Sequence, residues 1–122
     1  DTPVEDTNPI PTFYCGVTRA YGHGKTFFPE QVKTREEELR SYTWNNAYAI
    51  FEDHQLGSLT PGKLADITVF SGNLLSMPAD QILRARVLYT IVGGKIEYAR
   101  PGAANWRSGQ QFKAMPEFNH VN

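Results

Sequence analysis

The chain has 122 residues, a formal net charge of −1, and 40% hydrophobic against 20% charged residues. That suits one folded domain with a modest core. It excludes the basic footprint of a nucleic-acid binder and the acidic tail of a charged partner. No run approaches the roughly 18 apolar residues of a membrane span, and the opening "DTPVEDTNPIP" has no apolar signal-peptide core. The single cysteine, Cys15, rules out an internal disulfide and assigns no compartment, so cytoplasm and periplasm both stay open.

In chain order, residues 1–33 read as irregular. Pro9 and Pro11 bias their preceding residues toward extended backbone, and "AYGHGK" reads as a glycine loop. A connection this long usually serves a functional site or wraps around something. The first helix is expected over 34–51, "TREEELRSYTWNNAYAIF". Thr34 and Glu37 have capping-box spacing, and Leu39, Tyr42, Ala47 and Ile50 follow one helical face. Pro61-Gly62 suits a type II turn, because Pro presets φ and Gly accepts a positive φ. A strand follows over 65–70, with Ala65, Ile67 and Val69 on its expected inward face. "SMPADQIL" predicts a short helix with Pro78 near its first turn. "RVLYTIVGGKIEYA" predicts an antiparallel hairpin turning at Gly93-Gly94, with Val92 opposite Lys95, Ile91 opposite Ile96 and Tyr89 opposite Tyr98. The tail, 101–122, carries Trp106, Phe112, Met115 and Phe118, which argue for packing on a surface.

Local chemistry is sparse. His23, His54 and His120 lie far apart with no HxH, HExxH or CxxC spacing. Each reads as a solvated loop histidine. A Cys15–His23 nucleophile pair lacks an orienting base, and "GHGK" is too short for a phosphate loop. Glu36, Glu37 and Glu38 read as electrostatics at a helix start. Asn46 interrupts an apolar face, either to tie down a loop or to touch a substrate.

The words "NNAYA", "GSLTPGKLAD", "MPADQI" and "VLYTIVGGK" occur here in an order and spacing that cover roughly residues 1–99. This pattern resembles the C-terminal part of a metal-dependent amidohydrolase of the YtcJ-like subgroup. It is specific for the superfamily and silent about substrate. The opening "DTPVEDTNP" is similar to the family segment just after the last barrel strand. The tail after Tyr98 matches no family motif.

The resemblance implies an α+β chain: the C-terminal fragment of a TIM-barrel amidohydrolase, with the last barrel helix and part of a small composite β-sandwich. It divides the chain into the end of the barrel (1–52), a sandwich segment (53–100) and a tail (101–122). "GSLTPGKLADITVF" falls where the chain leaves the barrel for the sandwich. By position the family's metal-binding, proton-accepting aspartate is Asp1. The implied parent hydrolyses carbon–nitrogen, non-peptide bonds in a small molecule, using water activated by a divalent metal, zinc. The chain alone is expected to be inactive and metal-free, because a catalytic zinc wants about three protein ligands. No nucleic-acid or membrane partner is expected. A homo-oligomer, or dependence on the missing N-terminal part, is expected from unpaired sheet edges. The alternative is a stand-alone β-rich interaction module without catalysis.

Overall fold

The structure, a computed structural model, describes Val4, residues 7–21 and residues 24–103. Its first element corrects the sequence reading, because Pro9–Thr18 form a helix, α1. The Asn8 side-chain Oδ1 accepts from the Ile10 N–H at 3.1 Å and caps the helix. Pro9 and Pro11 both fall in the first turn, where the backbone N–H groups have no intrahelical partner to lose. Ile10, Phe13, Tyr14 and Val17 share one face and enter or flank the core. Arg19 ends the helix in the left-handed region, its N–H bonded to Cys15 O at 2.7 Å. A two-rung ladder follows, β1 (Ala20–Tyr21) with β2 (Lys25–Thr26), and then a single 3-10 turn over Pro29–Gln31.

Thr34 begins the next helix with the expected capping box, reciprocal with Glu37. The helix does not run to 51. It breaks at Thr43 (φ −123°, ψ −94°) into α2, Arg35–Tyr42, and α3, Trp44–Ala49. The Thr43 hydroxyl donates to Leu39 O at 3.0 Å and its N–H to Arg40 O at 3.2 Å. A β-branched hydroxyl that takes the carbonyl four residues back competes with the regular helix ladder.

The second half holds an antiparallel sheet of order β3-β4-β5, with β3 at Ile67–Phe70, β4 at Val87–Val92 and β5 at Lys95–Ala99. A short helix α4, Ala79–Ile82, begins after Pro78 as the sequence suggests. Pro61-Gly62 form the expected turn: Gly62 has φ +94°, and the Lys63 N–H reaches Thr60 O at 3.2 Å. Gly93 and Gly94 both have positive φ, 55° and 80°, which is what a two-residue primed turn demands. Val92 faces Lys95 and Ile91 faces Ile96. Beyond them a bulge skips Glu97, so Tyr98 faces Thr90 and Ala99 faces Tyr89, which displaces the expected Tyr89–Tyr98 pair.

The core is small and lies among the helices: Ile10, Phe13, Leu74, Ile82 and Ala85 are buried, with Leu39, Tyr42, Phe70 and Met77 packed against them. Arg35 fastens α2 to the α4 segment by donating to Leu74 O at 2.5 Å and Met77 O at 3.0 Å. Among the described residues the sheet is only half covered. Of its expected inward face, Ile67 is half-buried while Ala65 and Val69 are exposed. A second bulge, between Val69 and Phe70, turns Phe70 to the core instead. Among the described residues no helix is long and apolar enough to cross a membrane.

Candidate functional site

The passage from Gly57 to Phe70 is a structural knot. Lys63 reaches back, its Nζ donating to Asp53 O at 2.5 Å and Leu56 O at 3.1 Å. The cation thus holds backbone carbonyls in the loop that follows α3. The Leu64 N–H donates to Gln55 O at 2.9 Å. Asp66 accepts the Gly93 N–H on Oδ1 at 2.7 Å, and Ala65 O accepts the Gly94 N–H at 3.0 Å. The acid and the carbonyl before it therefore pin the tip of the β4–β5 hairpin. Gly57 (φ +81°) passes so close to α3 that a Cβ there would meet Ala47 Cβ and Trp44 Cα, both at 2.8 Å.

Between α2–α3 and the sheet this knot leaves an open groove of about 990 Å³. Its walls are apolar: Leu39, Ala47 and Ile50 on one side, with Leu59, Leu64 and Ile67 on the other. Strand β3 is an outer strand of the sheet, and its residues line the groove. The β5 edge differs, carrying a Lys95–Glu97 ion pair at 2.9 Å and the bulge at Glu97. Charges and bulges blunt an edge against further pairing.

Glu38 departs from the reading of the three glutamates as a helix-start group. Glu36 is exposed and Glu37 completes the cap, but Glu38 is buried against α1. A Cβ on Gly16 would lie 2.3 Å from its carboxyl carbon, so only glycine leaves room for the carboxylate. Lys33 Nζ, which also donates to Ser41 Oγ at 3.1 Å, forms an ion pair with Oε2 at 2.9 Å. Burial, followed by this neighbouring carboxylate, pushes the Tyr42 hydroxyl above its ordinary pKa. The Thr34 backbone N–H, with the Thr34 hydroxyl second, lowers the Glu37 carboxyl below its ordinary value. The one trace of the Glu38 site in the sequence is its place next to Leu39 and four residues before Tyr42, on the edge of the apolar face.

The other sequence candidates do not converge. Asp1, His23 and His120 lie outside the described residues, as do Trp106, Phe112, Met115 and Phe118. The Cys15–His23 pairing therefore has only one described member. Cys15 is exposed, with its Sγ 3.3 Å from Ala20 O. The His54 side chain is exposed, 3.8 Å from a Glu52 oxygen. Asn46 is exposed on the groove wall. Among the described residues no three His, Cys, Asp or Glu side chains stand close enough to hold a metal ion, so they do not by themselves fit a catalytic zinc.

The sequence profile of the amidohydrolase family matches residues 1–98, from the opening segment to the last strand. This chain belongs to the amidohydrolase family. It is 38% identical over 101 residues to Protein LONG AFTER FAR-RED 3 of Arabidopsis thaliana, a match over 80% of this chain and 17% of that protein. It is 29% identical over 103 residues to N-substituted formamide deformylase of Arthrobacter pascens, covering 84% and 19%. It is 25% identical over 103 residues to the putative amidohydrolase YtcJ of Bacillus subtilis (strain 168), covering 82% and 20%. Membership in amidohydrolase family 3, on its YtcJ-like branch, follows from the profile and the last two relatives. The chain spans only 17% to 20% of the length of these relatives. No solved structure matches it.

Proposed function

We propose that this chain is the C-terminal portion of a barrel hydrolase acting on carbon–nitrogen, non-peptide bonds in a small molecule. The observation that carries the reading is the family match across residues 1–98. Two relatives named as a formamide deformylase and an amidohydrolase support it. In this reading residues 1–52 end the barrel, 53–100 belong to the sandwich and 101–122 form a tail. Asp1 is the family's metal-binding aspartate and proton acceptor. A divalent metal, zinc, supplies the activated water when bound, and its remaining ligands come from the rest of a longer polypeptide. The chain by itself is then inactive and binds no zinc tightly.

The test is the longer polypeptide that includes this chain, assayed for zinc by elemental analysis and for amide hydrolysis. Asp1→Asn should abolish turnover, and the 122-residue chain alone should show none. A longer polypeptide without metal or turnover overturns the reading. So does stoichiometric zinc on this chain alone that is lost in Asp1→Ala.

One observation favours a second reading, a β-rich interaction module: the open β3 edge beside an apolar groove. A longer polypeptide with no upstream HxH segment and no metal selects it.

A further inference from the structure

We draw no further inference here: the strongest candidate, the open apolar groove between α2–α3 and the outer strand β3, is an unpartnered face on a chain that spans 17% to 20% of its relatives' length, and nothing among the described residues shows what covers it.

Discussion

Phe51, two residues past the end of α3, has φ 62° and 84% of its surface exposed. The residue after a helix commonly takes this left-handed conformation, and glycine is the residue that does so without strain. A bulky side chain there costs roughly 1–2 kcal/mol, and little burial offsets it. Phe51→Gly should therefore stabilise the chain by about 0.5–1 kcal/mol after the entropy glycine gains on unfolding. A urea midpoint that falls in this variant refutes the assignment of strain. Titration adds a second expectation at this scale. The depressed Glu37 carboxyl stabilises the fold above the ordinary carboxylate range, and that contribution is lost as pH falls through its lowered folded value. The raised Tyr42 hydroxyl acts at the other end, with stability falling as pH rises past the ordinary tyrosine value of about 10. Melting curves against pH should have a shallower acid limb in Glu37→Gln and a flatter alkaline limb in Tyr42→Phe. The Thr34–Glu37 cap was legible because its spacing is local. The burial of Glu38 was not, because it depends on Gly16, a residue on a helix the sequence reading did not see.

At the level of elements, legibility follows the same divide. The β4–β5 turn could be read because two adjacent glycines allow what few other residues allow. Its first two pairs hold, and the register then slips at Glu97, where no turn residue dictates the count. Helix α1 was hidden because two prolines signal irregular chain unless one knows that they occupy a first turn. The break at Thr43 was hidden because Leu39, Tyr42 and Ala47 keep a helical rhythm across it, while the hydroxyl that competes with the ladder leaves no periodic trace. The turn invites a direct test. Gly94 has φ 80° and gives its N–H to Ala65. Gly94→Val should destabilise by more than about 1 kcal/mol, because a β-branched residue is strained at positive φ. An unchanged denaturation midpoint contradicts the turn geometry.

At the scale of the molecule, the core gathers around α1, α2 and α4, and the described residues leave the sheet half covered. The composition announced a modest core but could not say which faces would lack cover, since that depends on how the elements meet. The β5 edge carries charges and a bulge, whereas β3 borders the apolar groove. Association through β3 is therefore our expectation, with a second copy or with the rest of a longer polypeptide. Light scattering should show mass rising with concentration. Val69→Lys on the exposed part of β3 should suppress the rise without lowering the melting temperature. A monomer at high micromolar concentration with cooperative unfolding would count decisively against it.

The bond between Asp66 and the Gly93 N–H also orders events in time. The hairpin closes over a two-residue loop, a microsecond step. The Asp66 contact joins residues 27 apart, so its loop-closure entropy is larger. It should form after the hairpin tip exists to receive it, on the native side of the folding barrier. Asp66→Ala should accordingly speed unfolding and leave the refolding rate nearly unchanged, a signature that stopped-flow chevrons resolve. The acid of "GKLAD" would then act as a latch on a folded tip, setting how long the native sheet lasts and having little part in how fast it forms.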